Sequence, residues 1–156
     1  MSNFQIDKDF IKVIEALIVE KNNLKLKNKL KDLHYADIAE LSNKLSANQA
    51  TYLIKLLESE KTADILPELD EDIREAVLEN LSPKEIAEEV EILDTDDAAD
   101  IIAELPENRK EKVMSEITDS SHIDDIRELL TYDENSAGGL MAKELVCVEE
   151  KLSVLK

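Results

Sequence analysis

Glycine is almost missing from this chain of 156 residues: there are two, side by side as Gly138–Gly139. Proline occurs three times, tryptophan not at all, and only 3% of the residues are aromatic. With 43% hydrophobic residues but so few rings, Leu, Ile, Val and Ala must fill the core. A chain this poor in helix breakers, with 36% charged residues, fits an all-helical protein with strongly solvated outer faces. A single cysteine, Cys147, excludes an internal disulfide and is compatible with a reducing compartment. His34 and His122 are far apart and no His/Cys ligand spacing exists, which argues against zinc. No run approaches the length of about 18 apolar residues that a membrane span needs, and the N-terminus has no basic-then-apolar leader. The chain is therefore expected neither to cross a membrane nor to carry a secretion signal.

No nucleophile elbow, phosphate-cradling glycine loop or paired-histidine motif is present, so no enzyme is expected. Carboxylate pairs are common, but a chain with 37 acids produces many by chance.

What the sequence has in excess is negative charge, a net −18, and it is unevenly spread. Residues 1–44 hold eight lysines against seven acids, whereas 45–156 hold 11 Lys and Arg against 30 acids. Such a field repels phosphate backbones and makes nucleic acid a poor partner. It attracts cations and basic surfaces.

Apolar residues recur at helical spacing from about Phe4 to Thr131. Phe10, Ile11, Val13, Ile14, Leu17 and Ile18 form a broad stripe that predicts a helix opening near Asp9. The lysine-rich run from Leu24 to Lys31 reads as a short helix with a solvated face. A unit Ala-Asp-Ile then appears at 36–38, 63–65 and 99–101, followed by Leu41, Leu69 and Leu105 in turn. Ile86-Ala-Glu-Glu-Val90 with Leu93 is a close variant. Runs of ten or so residues cannot be stable helices alone, but stacked pairs that bury each other's stripe can be. The irregular spacing points to a compact right-handed superhelix of short degenerate helical hairpins, armadillo-like; a plain helical bundle is the other arrangement. Ser82-Pro83-x-Glu85 is a capping box with proline at the first helical position. Asp94 can cap the next helix, with Asp96 and Asp97 at its positive dipole end. Beyond Gly138–Gly139, the β-branched, alternating Glu144-Leu-Val-Cys-Val-Glu149 suits a strand, a strand-like stub with no pairing partner in this sequence.

The most pointed cluster is Leu93-Asp-Thr-Asp-Asp-Ala-Ala-Asp-Ile-Ile102. On a helix, Ala98, Ile101, Ile102 and Leu105 share the buried half. Asp96 and Asp100, four apart, share the other, with Glu104 next on that row. Carboxylates about 5–6 Å apart at Cβ suit a hydrated Mg²⁺, which keeps its waters. A solvated acidic face accounts for the same residues.

Taken in order, His34-Tyr-Ala-Asp-Ile-Ala-Glu-Leu41, Ala63-Asp-Ile65, Leu81-Ser-Pro-Lys-Glu-Ile-Ala-Glu-Glu89, the 93–100 cluster and Tyr132-x-x-x-Ser-Ala-Gly-Gly-Leu-Met141 closely resemble the cytosolic N-terminal domain of MgtE-type magnesium transporters, running into their first CBS domain. The resemblance covers about residues 30–156, and Ala137-Gly-Gly-Leu-Met141 is its most specific piece. It implies an N domain over 1–131 and a connector with the start of a CBS domain over 132–156. It also implies a dimeric transporter at the cytoplasmic face of the membrane, in which this domain docks on the CBS domains through bridging Mg²⁺ and favours the shut pore. Carried over by position, Asp64, Asp96 and Asp100 would be the largely water-mediated, weak ligands of that regulatory Mg²⁺. Tyr35 and Thr95 depart from the pattern, standing where proline is common. Of the other residues, His34 is expected to cap or precede a helix, Tyr132 to pack against the last helix, Cys147 to be a small core residue, and Gly138 and Gly139 to give backbone freedom at the joint. The rival reading is a helical-repeat interaction scaffold like those of flagellar motor switch proteins, with no metal.

Overall fold

Each short apolar run becomes a helix because it is capped locally and then buries its stripe against a neighbour. The computed structural model describes residues 6–133 and 135–144. Among them are ten α-helices: α1 (Lys8–Val19), α2 (Asn23–Leu30), α3 (Tyr35–Asn43), α4 (Ala47–Ile54), α5 (Ser59–Ile65), α6 (Glu71–Asn80), α7 (Pro83–Val90), α8 (Thr95–Glu104), α9 (Glu107–Glu116) and α10 (Ser120–Leu129). A 3-10 turn, Leu66–Glu68, follows α5 directly. The fold is all-α, as the composition predicts.

The caps follow the sequence signals closely. Asp7, two residues before the expected Asp9, accepts from the Phe10 N–H at 2.7 Å and starts α1. Ser82 Oγ accepts from the Glu85 N–H at 3.2 Å while Glu85 accepts from the Ser82 N–H at 2.7 Å, so the predicted box is complete. His34 caps α3, its Nδ1 accepting from the Ala36 N–H at 3.3 Å. Pro67 is the second residue of the 3-10 turn and Pro106 is the N-cap of α9.

The helices stack in two rows. In one, α3 packs on α5, α5 on α7 and α7 on α9; in the other, α4 packs on α6 and α8 on α10. The α1–α2 hairpin closes the N-terminal end, with α1 also against α4. The recurrent unit explains this regularity. Ile38, Ile65 and Ile101 are all buried, and so are Leu41, Leu69 and Leu105, so each copy drops the same two side chains into a continuous aliphatic core. Fully burying a side chain of this size is worth roughly 1.5–3 kcal/mol, which offsets the weak intrinsic stability of such short helices.

After α10 the chain turns back along the helices. Gly138 does not serve the expected purpose there: no described glycine has a positive φ. What matters is space, because a Cβ on Gly138 would stand 2.8 Å from Cγ and Cδ1 of Tyr132. The strand expected over 144–149, with Cys147, lies beyond Glu144 and so almost wholly outside the described residues. Among the described residues no helix is long and apolar enough to cross a membrane.

Candidate functional site

Helix α8 carries the acids singled out in the sequence, and its burial pattern is the predicted one. Ala98, Ile101 and Ile102 point into the core, with Leu105 just after them. Asp100 is exposed and Asp96 half-buried on the outer side.

The neighbours decide which acids face each other. The 3-10 turn packs on α8, and Pro67, Glu71 and Arg74 from that side meet Asp97, Asp100, Ile101, Ala103 and Glu104 across a cleft of about 570 Å³. Asn135 and Leu140, from the segment after α10, complete its lining. Four acids thus line one cleft with one cation. That cation, Arg74, is engaged: Nε donates to Glu104 Oε2 at 2.9 Å, and Nη1 donates to the carbonyls of Leu69 at 3.0 Å and Pro67 at 3.2 Å. The hydrogen bond to Glu104 is the main reason its pKa is raised, with Glu71 and Asp100 adding attraction.

Asp97 records the crowding of charge. Its pKa is pushed up, first by burial and then by Asp96, Asp100, Asp94 and Glu68. A carboxyl whose neighbours penalise its ionisation is one that a cation would relieve. Asp97, which lines the cleft, reads in the sequence only as a helix-dipole partner, and Glu68, which adds to the repulsion on it, only as a residue after a proline. Asp64 is exposed near the end of α5, just before the 3-10 turn, and is not among the groups that press on Asp97. The structure therefore gathers Asp96 and Asp100 with Asp97, and leaves Asp64 on a separate element.

The returning segment reaches the N-terminal end of this same helix. Asp94 is the N-cap by backbone geometry, but its side chain makes no capping hydrogen bond. Glu144 takes that part instead, accepting from the Thr95 N–H at 2.9 Å and from the Thr95 hydroxyl at 3.1 Å. The Lys143 N–H donates to Thr95 Oγ1 at 3.2 Å. The Lys143 ammonium lies 2.7 Å from Asp125 and 2.6 Å from Glu128 on α10, and those two hydrogen bonds raise its pKa.

As to metal, no group of three or more His, Cys, Asp or Glu side chains among the described residues could enclose an ion. The donor set fits a hydrated Mg²⁺ held through its waters by paired carboxylates, and does not fit a closed all-protein cage.

The family of the MgtE intracellular N domain matches residues 33–135. Among solved structures, the soluble part of a magnesium transporter is similar over 89% of this chain, at 22% identity and a TM-score of 0.73. The cytosolic domain of the Mg²⁺ channel MgtE, in complex with ATP, is similar over 85%, at 25% identity and a TM-score of 0.71. The first likeness bears on the fold alone. The chain spans about half of each, 55% and 54% of their lengths. No curated protein sequence matches it.

Proposed function

Because the chain belongs to the MgtE intracellular N domain family, we propose that it is the Mg²⁺-sensing regulatory domain of a magnesium transporter. Asp96 and Asp100 on α8, with Asp64 on α5, hold Mg²⁺ largely through its waters against carboxylates of the CBS domains that follow in the same protein. Residues 1–131 form the sensing domain and 132–156 lead into the first CBS domain. The whole protein is a homodimer with its pore in the membrane, and this domain lies on the cytoplasmic side.

The chemistry is that of a ligand that binds one of two states better. With Mg²⁺ bound between acidic surfaces, the docked arrangement is favoured and the pore is shut. When Mg²⁺ falls, unscreened carboxylates repel, the domain moves away and the pore can open. No bond is made or broken, and no residue is assigned a catalytic role.

The observation that carries this reading is the match of the MgtE intracellular N domain over residues 33–135, joined to a cleft beside α8 in which Asp97 and Asp100 stand with Glu71 and Glu104. The test is the double change Asp96→Ala with Asp100→Ala in the intact transporter. Both are polar surface positions, so folding should be kept, while Mg²⁺-dependent closure weakens. Unaltered Mg²⁺ dependence would remove both residues from the assignment.

A further inference from the structure

We propose that the α1–α2 hairpin docks on an anionic lipid surface, with Val19 and Leu24 seated among the headgroups and the lysines around them on the lipid phosphates. The charge is concentrated there. Residues 21–31 hold five lysines and no acid, in a chain whose net charge is −18. All five lysines are exposed. Lys31 reaches Asp32 at 3.9 Å, whereas Lys21, Lys25, Lys27 and Lys29 make no ion pair with a described residue.

The apolar part stands at the same place. Val19, the last residue of α1, is 78% exposed, and Leu24, in the first turn of α2, is 74% exposed. They flank one tight turn, in which the Asn22 N–H donates to the Leu17 carbonyl at 2.9 Å and the Lys21 N–H to the Ile18 carbonyl at 3.0 Å. Lys21 has φ 53° in this turn, left-handed backbone that favours glycine, so a cation occupies a position where glycine would be less strained. On α2, Leu26 and Leu30 face the core. Leu24 therefore falls on the outer face, with Lys27 and Lys31 to one side and Lys25 and Lys29 to the other. The helix is pinned at both ends. The Tyr52 hydroxyl donates to Asn23 Oδ1 at 2.5 Å, and the Lys61 ammonium donates to the Lys31 carbonyl at 2.7 Å.

A merely acidic protein surface would satisfy the lysines and leave Val19 and Leu24 in water. Single-stranded nucleic acid is held by stacking on aromatic rings, of which this hairpin has none between residues 11 and 31. The headgroup zone of an anionic bilayer takes both features at once, a shallow apolar contact and a polybasic attraction. Residues 45–156, with 11 Lys and Arg against 30 acids, are repelled by the same surface, so the hairpin end is the one that approaches. The proposal goes beyond the Mg²⁺ reading of α8 and does not rest on it.

The test is sedimentation of the 156-residue chain with vesicles of phosphatidylglycerol and phosphatidylcholine in equal parts, and with phosphatidylcholine alone. Chelator is present, so no divalent ion can bridge the acidic face to the lipid. The chain should bind the anionic vesicles and ignore the neutral ones. Lys25→Gln with Lys27→Gln should weaken binding about tenfold, and Leu24→Gln several-fold at unchanged charge. Lys84→Gln with Lys112→Gln, the same loss of charge elsewhere, should leave it unchanged. All are exposed positions, so folding is kept, as circular dichroism would verify. The chain has no tryptophan, so Leu24→Trp supplies a single reporter whose emission should shift to the blue on anionic vesicles. Indifference to anionic vesicles would overturn the proposal. Self-association at low salt that the Lys25, Lys27 pair abolishes would then assign the face to a second copy. Equal weakening by the two lysine pairs, unchanged binding of Leu24→Gln, or an unshifted Leu24→Trp emission on bound vesicles would overturn it too, each leaving the sensor reading standing.

Discussion

Arg74 on α6 and Glu104 on α8 form an ion pair that crosses between the two helices, with side chains only 18% and 28% exposed. The same guanidinium donates to two carbonyls at the start of its own helix hairpin, those of Pro67 and Leu69. One planar group therefore ties α6, the 3-10 turn and α8 together at the mouth of the acidic cleft. Its fork matches these directions in a way that an ammonium cannot.

Arg74→Ala should accordingly lower stability by about 1–3 kcal/mol, more than an exposed pair and less than a fully buried one. Arg74→Lys should recover only part of the loss. Chemical denaturation of the three chains checks this, and an Arg74→Lys variant as stable as the parent would show that charge alone suffices.

Glu89 on α7 is a second charged group away from water, 6% exposed, with Oε2 unpartnered. Burial pushes its pKa up to about 7, against hydrogen bonds from Ser59 and the Ala63 backbone and with added repulsion from Glu88 and Glu85. The sign follows from which state binds the proton more tightly. The folded state does, so ionisation weakens the fold above pH 7, and the penalty disappears as pH falls from about 7 towards the ordinary value of 4.5. The window is worth up to about 3 kcal/mol. Glu89→Gln should raise the melting temperature at pH 8, do little at pH 5, and flatten the profile between them. Equal effects at both values would mean that Glu89 does not titrate in this window.

Gly138→Ala tests a contact of shape. Its Cβ would meet the Tyr132 ring at 2.8 Å, so the ring must leave its place. A cost of about 1–3 kcal/mol is expected. Adding Tyr132→Ala should return part of it, a non-additivity that a double-mutant cycle measures. Strict additivity would place the reason for Gly138 elsewhere.

How far the sequence could be read is clearest at α7 and α8. Ser82, Pro83 and Glu85 lie within one turn, and the whole cap of α7 was visible in them. The cap of α8 was not, because Asp94 fits the local pattern while the acceptor is Glu144, 49 residues beyond the Thr95 N–H that it receives. The buried half of α8 was legible from spacing alone. Which edge of its polar half faces the cleft was not, because Glu68, Glu71 and Arg74 on neighbouring elements decide it. That is why Asp97 reads in the sequence only as a dipole partner, apart from the pair Asp96 and Asp100. The repeated Ala-Asp-Ile unit gave the core, since each copy buries the same isoleucine and leucine. The aspartates of the unit share no such common environment. Asp100 stands in the cleft, and Asp64 stands on the surface of α5.

In the proposed function the acids of α8 answer to Mg²⁺ as a specific ion. The most direct measurement is a Mg²⁺ titration of the amide NMR spectrum at constant ionic strength, on the parent chain and on the Asp96→Asn, Asp100→Asn variant. A Mg²⁺-specific response should give saturable shifts centred on residues 94–104, weak in affinity and lost in the variant. Shifts spread evenly along the chain, and identical when K⁺ replaces Mg²⁺, would contradict it.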